Sequence, residues 1–401
     1  MTRAPAGDPS LAAAAVADAY LWGYPLVAVH RARSAHRAAP GGGLSGRGRL
    51  ATAADRTVVA PNNDTLYATG WFDLRAGDVM VDVEPMDSPD RYWSVMLLDA
   101  YTHVAYVCRR LHGTGGARAR VTLDPGRPPG AGPLDVVPMA TPTLWVLARV
   151  LVAGPDDLVA ARAAQSRIHV HQPAGRRAVT GRPGAAASGF LDELRIALAV
   201  DPPAPWHPPL PSTAAAVLDD PPAAPDVDEG IRLAEARMRG RGRGIDRTGN
   251  GWGTRSRGAA FGDDVTYRAA YAKFSLAGHL PAENRSYSRV VDVGEPVVLR
   301  FPPGGEPPVD GFWSLSVYGP DMFFVDNPIG RYSVGDRTPG LGRGQDGSLA
   351  ITIGHRPPAD VANWLPAPAG PCVLALRAYE GRPDVVDATW FPPDVAPAEG
   401  G

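Results

Sequence analysis

A chain of 401 residues with 44% apolar and 20% charged side chains can bury one large core or several, and it is too apolar for a charged, unfolded polymer. Lys and Arg number 40 against 42 Asp and Glu, a net charge of -2, so no global field exists to recruit nucleic acid or an anionic membrane surface. With Cys108 and Cys372 alone, a dense disulfide framework is excluded, and no Cys or His spacing is that of a structural zinc site.

Residues 10 to 35 read as a helix opened by Ser10, whose hydroxyl can cap an orphan amide. Leu11, Ala15, Ala19, Trp22 and Leu26 fall on one stripe, and Pro25 is expected to bend or end the helix near Tyr24. Asp8, Asp18 and Tyr20 interrupt the apolar run, which argues against a signal peptide or a membrane span and for a cytoplasmic protein. A glycine-rich loop, Gly41 to Gly48, follows; it lacks the lysine and the preceding strand of a phosphate loop.

The next segments, TLYATGWFDL, DVMVDVEP and RYWSVMLLDAYTHVAYVC, are short strands separated by Gly, Pro and Asp turns. In the last, Tyr92, Ser94, Met96 and Leu98 share one face while Trp93, Val95 and Leu97 share the other; bulk on both sides indicates an interior strand. Residues 119 to 124 and 144 to 153 add further strands. Helical patterns return at 156 to 167, 189 to 200, 228 to 239 and 267 to 276. Between them, 201 to 227 is rich in Pro and Ala and reads as a linker, and RGRGRGIDRTGNGWG as a basic turn region able to meet phosphate or simply to be solvated. From Arg289 onward, RVVDV, PVVLRF, GFWSLSVYG, LAITIG and CVLALRAYEG are strands again, without the alternating helices of a doubly wound sheet.

The expected fold is therefore mainly β: a large antiparallel β-sandwich with a smaller, mainly helical part. Its divisions are an N-terminal helical segment (1–40), a first half of the sandwich (55–155), a helical part with linker (156–280) and a second half (289–395).

Two polar turns are candidate sites. PNNDTLY offers Asn62, Asn63 and Asp64, side chains that cap turns and that can equally hold an oxyanion or take a proton, with Tyr67, Trp71 and Trp93 as aromatic neighbours. FFVDNPIGRYSVGDRTPG sets Asp326, Asn327, Arg331, Tyr332, Asp336 and Arg337 among turn residues, either an ion-pair network or a place where Arg331 and Arg337 bind an anion. His103 can sit beside Asp99; His169 and His171 share a strand face but lack a third metal ligand; His279 and His355 lie in turns. No G-x-S-x-G elbow occurs, so a standard α/β-hydrolase is excluded, whereas a spatial triad is not.

PNNDTLYATGWFDL with DRYWSVMLLDAYTHVAYV, and DGFWSLSVYGPDMFFVDNPIGRYSVGDRTPGL with NWLPAPAGPCVLALRAYEG, resemble the two parts of a bacterial family of unknown function, the paired domains twelve-fifty-four and twelve-fourteen. The resemblance implies a small helical part packed with a large β-sandwich. Asn62, Asn63, Asp64, Thr65 and Tyr67 match its first signature, and Asp326, Asn327, Arg331, Tyr332, Asp336 and Arg337 its second. Where relatives usually carry asparagine before a Leu-Pro pair, this chain has His279 in GHLPAEN, which points to a different substrate choice; it also lacks the secretion signal of many relatives.

These residues lead to an expected enzyme acting on a small polar organic metabolite, in specialised metabolism, by acid/base chemistry without cofactor or metal. Asp64 or Asp336 would take a proton, Tyr67 or Tyr332 would supply one, and Asn62, Asn63, Trp71, Trp93, His279, Arg331 and Arg337 would bind substrate. The alternatives are a noncatalytic carbohydrate- or metabolite-binding sandwich, and a hydrolase with a triad built from Ser314 or Thr65 and a distant histidine. The expected partner is a small molecule, alone or with further copies of the chain, and neither nucleic acid nor membrane.

Overall fold

The computed structural model describes residues 9–36, 43–46, 48–173, 189–241 and 244–398. Parts of the glycine-rich loop and of the basic turn region lie outside these residues.

In chain order the N-terminal half contains α1 (Leu11–Ala35), β1 (Ser45–Gly46), β2 (Thr65–Asp73), β3 (Val79–Val83), β4 (Trp93–Leu98), β5 (Val104–Cys108) and α2 (Arg109–His112). It continues with β6 (Ala117–Leu123), β7 (Val136–Met139), β8 (Thr143–Leu151), α3 (Leu158–Gln165) and β9 (Ile168–His171). Then come α4 (Phe190–Val200), α5 (Ser212–Asp219), α6 (Ala224–Gly240), β10 (Arg247–Gly249), β11 (Trp252–Thr254) and α7 (Val265–Phe274). The last stretch holds β12 (Asn284–Asp292), β13 (Val297–Phe301), β14 (Trp313–Tyr318), β15 (Ser333–Gly335), β16 (Leu349–Gly354), β17 (Trp364–Pro366), β18 (Pro371–Tyr379), α8 (Pro383–Val386) and β19 (Val395–Pro397).

The molecule is mainly β, with an antiparallel sandwich architecture and a smaller helical part. The sandwich divides further than the sequence suggests. Sheet β1-β2-β8-β4-β5 stacks on sheet β7-β6-β3-β9 around one core, which holds Phe72, Val81, Trp93, Val95, Val121 and Val146. Sheet β10-β11-β12-β18-β14-β15 stacks on β17-β16-β13-β19 around another, which holds Phe301, Trp313, Leu315, Ile351, Leu374 and Leu376. Alternation along each strand sends every second side chain into its own core and the others outward.

The two sandwiches have the same topology, strand for strand. Raising each strand number by ten turns β2-β8-β4-β5 into β12-β18-β14-β15, and β7-β6-β3-β9 into β17-β16-β13-β19. The parallel pairs also correspond, β6 with β7 and β16 with β17, in sheets otherwise antiparallel. The halves are thus an internal structural duplication.

α1 is the axis of the helical part and packs against α4, α5, α6 and α7. Ser10 caps it as expected, accepting from the Ala13 amide at 3.0 Å. Two expectations are corrected on this element. The helix does not end near Tyr24 but runs through Pro25 to Ala35, and it is buried on most of its circumference rather than along one stripe, with Leu11 itself 91% exposed. Helices on several sides supply the burial that outweighs the hydrogen bond proline cannot make. By length and mean hydropathy (1.3) α1 could cross a membrane; 72% of that stretch is buried against the rest of the protein. The expected linker at 201–227 also folds in part, as α5, because Ala214, Val217 and Leu218 complete the helical core. His30 and Thr143 both bond the buried Asp201 (2.8 and 2.7 Å) and tie this bundle to the first sandwich.

Candidate functional site

The outward faces of β2-β8-β4-β5 and β12-β18-β14-β15 turn toward each other, and polar side chains meet between them. Each central strand brings an arginine there. Arg149 on β8 stands between Tyr67 of β2 and Ser94 of β4; Arg377 on β18 stands at the corresponding point between Ser286 of β12 and Ser314 of β14. Both are at most 9% exposed.

Their surroundings differ. Arg377 donates to Ser316 Oγ (3.2 Å), the Tyr318 hydroxyl (2.7 Å) and the Ala60 carbonyl (3.1 Å). In the first half the positions of Ser316 and Tyr318 are taken by Met96 and Leu98. Among the described residues, Arg149 consequently reaches the Met96 sulfur, at 3.7 Å, and the phenol of Tyr67, whose ring centroid is 5.0 Å from Cζ. Its buried Nε has no hydrogen-bond partner, and among the described residues no carboxylate forms an ion pair with it.

Each half also sends an acid across to the other. Asp64, just before β2, accepts from Ser314 Oγ at 2.7 Å. Glu283, just before β12, accepts from the Tyr92 hydroxyl at 2.8 Å and from Arg110 at 3.2 Å. The turn before β2 forms because Asn62 Oδ1 caps the amides of Asp64 (2.6 Å) and Thr65 (3.1 Å). The same side chain, through Nδ2, donates to the Tyr379 hydroxyl (2.6 Å) and to Asp64 (3.2 Å). Capping and site-building are one arrangement. Burial pushes the Asp64 carboxyl above its ordinary range, even against the opposing pull of Arg377 and the Ser314 hydroxyl.

His279 closes the layer from the loop after α7. Gly278 lets that loop pass against the Tyr271 ring, where a Cβ would stand 2.2 Å from a ring carbon. The Leu280 amide donates to the Tyr106 hydroxyl (3.3 Å), and the same hydroxyl pairs with His279 Nδ1 (3.2 Å). The other ring nitrogen, Nε2, engages no hydrogen bond among the described residues. Burial, reinforced by Arg149 and Arg377, holds the imidazole far below its ordinary pKa and therefore neutral. Beside this layer, Arg109, Arg110, Asp310 and Glu380 help line an open groove of about 270 Å³.

The two polar turns marked by the sequence do meet, through Ser333 Oγ and Asn63 Oδ1 at 3.4 Å. Asn62, Asn63, Asp64, Tyr67 and His279 lie at or beside the layer. Most of the second turn is occupied otherwise. Asn327 holds the Arg331 backbone from both sides (3.0 and 3.1 Å), and Arg331 Nη1 donates to the carbonyls of Val361, Ala362 and Trp364 at 2.8 to 3.0 Å. Arg337 donates to the Gly311 carbonyl at 3.2 Å. Tyr332 packs on Phe324, ring centroids 5.0 Å apart. Asp336 accepts from the Trp313 amide at 3.3 Å, and burial of its carboxyl, opposed by Arg337, pushes it up to about 6.

Trp71 stacks on Trp145 at 4.8 Å on the partly exposed outward face, whereas Trp93 points the other way, fully buried in the first core. His103 sits between Asp99 and Arg268, both at 2.8 Å, a satisfied interior histidine. His169 and His171 face Glu84 and Asp82 separately. Ser314 donates to Asp64, and among the described residues no histidine bonds it. Sequence reasoning passed over Arg149, Arg377, Tyr379 and Glu283. The available signal was the near-repeat of Tyr92-Trp93-Ser94-Val95 in Phe312-Trp313-Ser314-Leu315.

Fold and site together define a duplicated β-sandwich protein with a buried, arginine-bearing layer between its copies. Residues 45–172 match the family described as "Protein of unknown function (DUF1254)" and residues 284–383 the one described as "Protein of unknown function (DUF1214)", and the chain belongs to the family that pairs these two domains. The matched ranges follow the two copies of the duplication. Among solved structures, the chain is similar to the VPA0106 protein from Vibrio parahaemolyticus, with a TM-score of 0.69 at 20% identity over 96% of this chain and 100% of that one. It is also similar to an uncharacterised protein from Burkholderia cenocepacia, with a TM-score of 0.49 at 13% identity over 94% of this chain and 87% of that one. No curated protein matches the sequence.

Proposed function

We propose that the protein is an enzyme that acts on a small polar organic molecule in the layer between the two sandwiches, by acid/base chemistry carried by its own side chains. The observation that carries this reading is the convergence of a carboxylate, a phenol pair and a neutral imidazole around two buried arginines. Asp64, with its raised proton affinity, is a stronger base than an ordinary carboxylate. Tyr379, whose oxygen accepts from Asn62, keeps its own proton to give; Tyr67 stands beside Arg149 as the second phenol. His279, held neutral, donates from Nε2, in the tautomer that carries its proton there, to an oxygen on which charge develops.

Incubating the full chain with a library of small hydroxy, keto and amino acids and following each by mass spectrometry tests the reading. Turnover that survives unchanged in both Asp64→Asn and His279→Gln would sink it. The Trp71–Trp145 stack favours one second reading, noncatalytic capture of a flat or sugar-like ligand, which predicts binding without any product.

A further inference from the structure

We infer that Arg149 anchors the carboxylate of a small organic acid, so that the substrate class of the proposed enzyme is carboxylic acids rather than neutral or phosphorylated molecules. This deepens the acid/base reading and rests on it.

The duplication supplies an internal control. Arg149 and Arg377 occupy equivalent points of equivalent sheets, and both are out of water. Arg377 shows what the scaffold needs to keep a guanidinium there: two hydroxyls and a carbonyl. At Arg149 the scaffold has replaced the corresponding oxygens with a thioether and a leucine, and Nε is left bare. A buried cation whose only oxygen partner is the Tyr67 phenol, and whose Nε is unpaired among the described residues, is costly to maintain, and an anion arriving from outside completes its shell.

The chemistry of the surroundings selects the anion. A guanidinium edge presents parallel N–H donors that match two coplanar carboxylate oxygens. His279 Nε2, on a ring on which the Arg149 charge acts directly, offers one further donor in the tautomer that carries its proton there. A phosphate would ask for more: more than one negative charge, and the amide nest, helix N-terminus or lysine that usually shares it. The face around Arg149 carries Tyr67, Ser94, Met96 and Leu147 instead.

The test uses the full chain and thermal unfolding, with lactate and benzoate as probes, lactamide and benzamide as their uncharged counterparts, and inorganic phosphate as the competing anion. Both carboxylates should raise the melting temperature in a saturable way; the amides and phosphate should not. Arg149→Met should abolish the shift while itself melting no lower than the wild type, because it removes a buried charge whose Nε is unpaired. Arg149→Lys, which keeps the charge but loses the fork, should weaken apparent affinity at least tenfold.

Equal shifts with the amides, a shift with phosphate alone, no carboxylate shift at tens of millimolar, or a shift retained in Arg149→Met would each overturn the assignment. An Arg149→Met protein that melts well below the wild type would do so too, since a structural arginine behaves that way. If the Arg149-dependent shift is present but no acid is turned over, the anchor stands and the enzymatic reading falls. Turnover confined to uncharged molecules would give the reverse.

Discussion

Arg149 and Arg377 are the same residue of two copies of one fold, and Arg377 meets two hydroxyls and a carbonyl where Arg149 meets one phenol and a thioether and keeps its Nε unpaired. That asymmetry separates what the scaffold requires from what a ligand would supply. Arg377→Met strands the Ser316 and Tyr318 hydroxyls and the Ala60 carbonyl, and should cost about 2–3 kcal/mol of folding stability, read from urea unfolding midpoints. A cost near zero would mean that the second arginine is no more structural than the first.

Asp64 sets a pH dependence. Its pKa is raised in the folded protein, so folding favours the protonated form; that stability is complete below the ordinary aspartate value of 3.8 and is lost as pH rises through the folded value. Asp64→Asn cannot ionise. Melting temperatures from acid to neutral pH should therefore fall further for the wild type than for Asp64→Asn, and parallel curves would place the carboxyl's proton affinity back in its usual range.

Trp93 and Trp71 were grouped by sequence and separated by the fold. Trp93 is fully buried in the first core, so Trp93→Ala should cost about 3–5 kcal/mol in chemical denaturation. Trp71 is half of a partly exposed stack with Trp145, and Trp71→Ala should cost about 1 kcal/mol. Equal losses would place both rings in similar environments.

Both cysteines are free and buried, and burial pushes the Cys108 thiol far up and the Cys372 thiol up to about 11. Neither is a ready nucleophile at neutral pH. An aromatic disulfide reagent should find no reactive thiol in the native protein and both after denaturation; rapid native labelling would contradict the packing around Glu283.

Much of this was legible in the sequence. The strands of RYWSVMLLDAYTHVAYVC and CVLALRAYEG declare themselves by alternation, and Asp64 and Asn62 stood out because a cluster of short polar side chains directly before a strand must do something with its hydrogen bonds. Arg149 and Arg377 did not stand out, because each is a lone charge inside an apolar run, LWVLARVL and CVLALRAY. Only the facing of one sheet by another makes such a position interior on both sides. Arg331 and Arg337 misled for the complementary reason: clustered charges draw the eye, while the carbonyls that hold them sit in Val361, Ala362, Trp364 and Gly311, up to 33 residues away in the chain. Pro25 does not end its helix because the surrounding helices outweigh the local propensity.

Each copy lends the segment before its first strand to its sibling: Ala60 and Pro61 reach Arg377 and Tyr318, while His279 and Leu280 reach Tyr106. Had such a body been assembled from two identical subunits around a twofold axis, any substitution stripping the acceptors from one guanidinium would have stripped them from both, leaving two unbalanced charges. Covalent fusion breaks that bond between the twins, and one can remain a keystone while the other becomes a vacancy for a guest.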